Sequence, residues 1–153
     1  MVHDIAERTG GGGVAVRTSL LRMEGTFDPA SLRVEGEVDL STSEVFATTL
    51  GTMVERGAGD VRVDVQGLDF IDVAGLRALA AAACRLGLQD RRLVLLSVAP
   101  HLIRLMDLVG WSDIPALSMI PADHGLRNRR GRRGSPIHAM TAKAPPATRL
   151  VQR

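Results

Sequence analysis

Asp69 and Asp72 stand three residues apart in an acidic stretch just ahead of a helix-forming run. Two neighbouring carboxylates can divide general acid and general base work, or hold a magnesium ion through oxygen ligands. Aspartate in that position also has a simpler use, because its carboxylate accepts backbone N–H groups at a helix start. Capping is the favoured reading: no histidine lies near either aspartate in sequence, and no nucleophile motif accompanies them. Cys84 falls in the apolar part of the following helix and is expected to be buried as packing. His101, His124 and His138 show no metal-ligand spacing. The four consecutive glycines at residues 10–13 lack the Lys-Ser or Lys-Thr that a phosphate-cradling loop needs beyond them. They read as the end of a flexible leader, residues 1–13, and neither a cofactor nor a metal is expected.

Two further groups of side chains carry chemistry of another kind. Ser41, Thr42 and Ser43 offer three hydroxyls at a helix start, where they can cap the helix or accept a phosphate. Arg127, Arg129, Arg130, Arg132 and Arg133 lie near the other end of the chain, interleaved with Asn and Gly, and could contact nucleic-acid phosphates. That segment has no aromatic residue to stack on bases, which weakens a sequence-specific reading. The net charge of +2 hides a division: residues 1–123 carry 11 arginines and 17 acids, whereas residues 124–153 carry eight Lys or Arg and no acid. An acidic domain, residues 14–120, is therefore expected to precede a basic, proline-containing and disordered tail, residues 121–153.

The elements that position these residues follow from periodicity. Residues 14–23 and 31–38 contain β-branched residues with partial alternation and flank turn chemistry at residues 24–29, which predicts an antiparallel hairpin. Val45, Phe46, Leu50, Met53 and Val54 form an apolar stripe at helical spacing, stopped by Gly57 and Gly59. Val61, Val63 and Val65 alternate with charged residues in a strand that ends at Gln66. A helix over about residues 74–86 stops at Gly87, a strand covers residues 92–97, and Pro100 opens a helix closed by Gly110. Residues 116–120 read as a last short strand, and Trp111 reads as packing over the third helix or as a partner anchor. Strands alternating with helices behind a hairpin imply an α/β fold, a mixed sheet with helices packed against it. At 153 residues and 45% hydrophobic content the chain suits one core, and no apolar run approaches the ~20 residues of a membrane span. Residues 1–9 contain acids and no apolar stretch, so they do not read as a signal peptide. A single cysteine excludes an intramolecular disulfide and fits a cytoplasmic protein.

Asp72-Val73-Ala74-Gly75, set between strand and helix, resembles the signature loop of STAS domains, small α/β modules that include bacterial anti-sigma-factor antagonists. Gly36-Glu37-Val38-Asp39-Leu40 followed by Ser41-Thr42-Ser43 is similar to the family's second-strand ending, and residues 93–110 to its fourth strand, third helix and glycine stop. The resemblance implies a non-enzymatic, STAS-like regulator that docks through residues 72–79 to an ATP-binding anti-sigma factor, itself a serine kinase. Asp72, Val73, Ala74, Gly75 and Arg77 would be the contact residues. Ala74 stands where the family carries its phosphorylated serine, and a methyl group cannot take the phosphate that a helix start would otherwise stabilise. Ser41, Thr42 and Ser43 would lie near this loop as alternative phosphosites. The family usually ends in a further amphipathic helix, whereas here Pro121 leads into Arg, Gly and Pro. The competing readings are nucleic-acid binding through the arginine-rich tail and a ligand-sensing or scaffold STAS domain.

Overall fold

Gly11 and Gly12 form the turn of a hairpin in which β1 (Ala6–Gly10) pairs antiparallel with β2 (Gly13–Arg17). The computed structural model describes residues 6–123. The glycine run expected to close a flexible leader thus supplies a two-residue connection, a length that suits adjacent antiparallel strands. The basic segment, residues 124–153, lies outside the described residues.

The expected strand over residues 14–23 divides in two. Thr18 Oγ1 accepts the N–H groups of Leu20 and Leu21 at 3.1 and 2.9 Å, and this side-chain turn folds the chain back. β3 (Leu21–Phe27) runs through the residues expected to form the turn, so only Asp28 and Pro29 separate it from β4 (Ala30–Val38). Inward positions Val14, Val16, Leu21, Met23, Leu32 and Val34 are buried, and the alternation between them sets the register.

From β4 onward the pairing becomes parallel. α1 (Ser43–Arg56) leads to β5 (Val61–Ile71), α2 (Val73–Gly87) to β6 (Leu93–Val98), and α3 (Pro100–Leu108) with a 3-10 turn (Trp111–Asp113) to β7 (Leu117–Pro121). The seven strands stand in chain order. Successive right-handed crossovers in one direction put the helices on one face. Phe46, Leu50 and Met53 of α1 and Leu76, Leu79, Ala83 and Leu86 of α2 are buried with Val61, Val63, Leu93 and Leu95 in one core. The opposite face carries exposed Arg22, Glu24, Arg33 and Arg62, so β5 is buried on one side only.

Two further expectations change. β5 does not end at Gln66: a register shift beside Gly67 lets the strand continue to Ile71 alongside β4, which converts the expected acidic turn into strand. Cys84 is exposed, because the buried phase of α2 runs through Leu79, Ala80, Ala82, Ala83 and Leu86 and turns residue 84 outward. Other signals match the structure: Pro100 is at the start of α3, and Gly110 adopts φ +78°, a left-handed conformation suited to glycine after a helix. Trp111 packs, partly buried, against the core.

Arg91 ties α1 to the sheet. Its guanidinium donates to the carbonyl of Val54 in the last turn of α1 at 2.9 Å and to those of Gly57 and Gly59 just beyond it at 2.9 and 2.7 Å. Arg91→Met keeps much of the apolar stem and removes these donors. The expected loss is about 2–3 kcal/mol, read as a lower urea midpoint at unchanged slope. A wild-type midpoint would reject this role for the guanidinium.

Candidate functional site

The C-terminal ends of β4 and β5 lie side by side, and α1 and α2 start immediately beyond them. Val38 pairs with Ile71, and the Asp72 N–H donates to the Val38 carbonyl at 2.9 Å, extending the parallel contact by one bond. The chain then enters α2. Asp72 is extended at φ −91° and ψ −178°, and its Oδ1 accepts the Gly75 N–H at 2.9 Å. This is the N-cap arrangement that the residue type favours, satisfying one of the amide donors a helix start leaves free. Asp69 lies exposed on β5, whereas the Asp72 carboxylate is engaged by its cap.

The first turn of α2 sorts its side chains by depth. Val73 is 55% exposed, Gly75 and Leu76 are buried, Ala74 is half-buried, and Arg77 is exposed. Arg77 enters no ion pair among the described residues. Gly75 is a packing requirement: a Cβ there would stand 2.6 Å from Ile71 Cγ1 and 2.7 Å from Val38 Cγ1. The helix therefore begins close against the sheet, and its first turn is held at a fixed height above the strand ends.

The Ser41–Ser43 hydroxyls do not act as the expected set of helix caps. Thr42 is 3% exposed; its Oγ1 accepts the Asp39 N–H at 2.9 Å and donates to the Glu37 carbonyl at 2.9 Å. Its backbone is helical rather than extended, and its side chain makes no cap bond to α1, so it closes the loop before the helix. Ser41 is exposed, and its hydroxyl and amide both donate to Asp39 Oδ1, at 2.8 and 2.9 Å. Ser43 is the first residue of α1 and half-buried. The Ser41 hydroxyl, above all, lowers the pKa of Asp39; desolvation opposes it, and the Ser41 amide and the Thr42 hydroxyl and amide reinforce it.

Several other candidates fall elsewhere. His101 is exposed in the first turn of α3, and among the described residues no group of three His, Cys, Asp or Glu could hold a metal ion. His124, His138, Arg127, Arg129, Arg130, Arg132 and Arg133 lie outside the described residues. No described helix is long and apolar enough to cross a membrane. Sequence reasoning overlooked Leu40 and Phe70, 88% and 50% exposed beside the capped loop. Their signal was an apolar residue inside the polar run Asp39-Leu40-Ser41, and an aromatic between two aspartates.

Two measurements test this geometry. Gly75→Ala is expected to cost about 1–3 kcal/mol through overpacking against Val38 and Ile71; wild-type stability would show that the helix start can shift freely. The Asp39 carboxyl should titrate below the ordinary aspartate value, and Ser41→Ala should move its midpoint upward in a carbon-13 pH titration. Since the folded pKa is the lowered one, the stabilisation linked to this loop is present at neutral pH and is lost as pH falls through that folded pKa. An unmoved midpoint would rule out the Ser41 hydroxyl as the main cause.

The chain is similar in sequence and fold to known proteins. The family model described as Mlab, STAS domain matches residues 21–121, about two thirds of the chain. The anti-sigma-B factor antagonist of Staphylococcus epidermidis is 29% identical over 83 residues, covering 54% of this chain and 77% of that protein. The protein of the same description from Staphylococcus aureus (strain NCTC 8325 / PS 47) is 26% identical over the same shares. The crystal structure of an anti-sigma factor antagonist from Mycobacterium paratuberculosis shares the fold with a TM-score of 0.51 at 19% identity, covering 76% of this chain and 86% of that one. With a family match reaching from β3 through β7, the chain belongs to the STAS domain family.

Proposed function

We propose that this protein is an anti-sigma-factor antagonist that acts by docking, without catalysis, on an anti-sigma factor of the ATP-binding serine kinase type in a bacterial cytoplasm. Residues 14–120 form the docking module, and Asp72, Val73, Ala74, Gly75 and Arg77 belong to its contact surface. The observation that carries the reading is the capped start of α2: Asp72 holds Gly75, and Gly75 sets the first turn against the sheet. Ala74 and Val73 are thereby offered at a fixed height, with Arg77 exposed one turn on. A pre-formed surface of this kind loses little conformational entropy on binding. The staphylococcal relatives described as anti-sigma-B factor antagonists support the same class of partner.

Ala74 gives the docking surface no switch of its own. A phosphate there would add roughly two negative charges close to the Asp72 carboxylate. With only a methyl at 74 the antagonist stays competent to dock, and control passes to its abundance or to its partner. A second reading, nucleic-acid binding through Arg127, Arg129, Arg130, Arg132 and Arg133, draws on the excess of basic residues over residues 124–153.

The test is titration of the purified protein with the anti-sigma kinase of its source organism, with ATP and magnesium present. Wild type should bind and acquire no phosphate. Ala74→Ser should become phosphorylated at residue 74, and Ala74→Asp should bind at least tenfold more weakly, about 1.4 kcal/mol, with an unchanged circular dichroism spectrum. Phosphate on Ser41, Thr42 or Ser43 of the wild type would overturn the unswitched reading. Absence of binding, together with salt-sensitive retention on nucleic acid, would favour the second reading.

A further inference from the structure

We infer that Leu40, Phe70 and Val73 form the apolar centre of the contact surface, and that it fits a protein partner presenting an apolar cleft rimmed by lysine or arginine. The inference rests on the docking reading above and assigns that surface its anchors and its partner's chemistry. The three side chains are 88%, 50% and 55% exposed, although apolar residues of this size are usually withdrawn from water. The topology gathers their positions at one end of the sheet, with Phe70 beside the buried Ile71 at the end of β5. Glu37 pairs with Phe70 and Val38 with Ile71, so Leu40 and Val73 each lie two residues beyond the last paired position of adjacent parallel strands.

Leu40 is presented by a closed turn. The bonds from Ser41 and Thr42 to Asp39 frame it on both sides, and the buried Thr42 fixes that frame to β4 through the Glu37 carbonyl. A large apolar side chain held outward on a framed loop has the character of an interface anchor, because little ordering remains to be done on binding.

Charge selects the occupant. Residues 37–44 and 68–79 contain five acids against one arginine, Arg77, and among the described residues none of these acids enters an ion pair. An acidic rim around an apolar centre complements a basic rim around an apolar cleft. The same rim disfavours a second copy of this chain, which would bring like charges together. Another exposed apolar group, Leu105 and Leu108 of α3 with Val109 just beyond it, has one acid, Asp107, and one arginine, Arg104, in residues 104–109 and serves as an internal control.

The decisive experiment follows backbone amide and methyl NMR signals of the full chain while an amphipathic helical peptide of leucine and lysine is added. A second peptide carries glutamate in place of lysine. The leucine–lysine peptide should shift the signals of Leu40, Phe70 and Val73 and should lose at least tenfold in affinity against Leu40→Ser, while the glutamate peptide should leave them unmoved. Residue 40 is so exposed that serine should not alter the urea midpoint, which is checked in parallel. Shifts concentrated at Leu105, Leu108 and Val109, equal effects of the two peptides, or self-association that Leu40→Ser abolishes would each overturn the proposal. The anti-sigma kinase then separates it from the docking reading. Equal binding to wild type and Leu40→Ser leaves docking intact and removes the apolar centre. Failure to bind either, with the peptides behaving as expected, removes the kinase and leaves the surface.

Discussion

The bond from the Asp72 amide to the Val38 carbonyl, 2.9 Å long, extends the parallel contact between β4 and β5, and the arrangement of the candidate surface depends on that contact. It brings two strand ends level, and each strand feeds a helix within a few residues. The start of α2 is then drawn against the strands, because glycine at 75 leaves no atom to collide with Val38 and Ile71. A larger side chain there would lift the first turn and carry Val73 and Ala74 with it. The position of the exposed residues is therefore set by the packing of buried ones.

Around that contact, polar groups settle the loops. Thr42 closes the β4–α1 connection from inside, where a buried hydroxyl must find both a donor and an acceptor and does so at the Asp39 amide and the Glu37 carbonyl. Asp39 receives the Ser41 hydroxyl and amide and is more acidic for it. Arg91 acts at the opposite end of α1, meeting three carbonyls with one planar group. The loop before α1 and the end of α1 are thus each held by side-chain bonds to backbone, which leaves the helix's buried stripe to supply packing energy.

A sheet covered on one face has consequences for function. The uncovered face is a lattice of arginine and acidic residues, including the exposed Arg22–Glu24 pair at 3.3 Å, and is well solvated. The end of the sheet at α1 and α2 is different: it combines acids with Leu40, Phe70 and Val73 and has no cation until Arg77. That contrast in surface chemistry is what the proposed contact region at the end of the sheet rests on. Ala74 makes this chemistry constant in charge at that residue, since no hydroxyl is available there to be modified.

Much of the architecture was legible in local chemistry. The valine alternation of β5, the apolar stripe of α1, Pro100 and Gly110 around α3, and Asp72 ahead of α2 each depend on neighbours within a few residues, so their signals survive in the chain itself. Local pattern misjudged the places where distant partners decide. Asp69 and Phe70 became strand because β4 offered a parallel edge beyond Gly67. Thr42 became a loop lock because the Glu37 carbonyl lay within reach. Cys84 turned outward because the sheet selected which stripe of an alanine-rich helix to bury. By itself the sequence determined the order and type of the elements from β4 onward and the capped start of α2, since propensity, capping and periodicity are short-range. Only the tertiary structure decided that Leu40, Phe70 and Val73 share one exposed end of the sheet, because strand register and helix depth arise from packing between residues far apart in the chain.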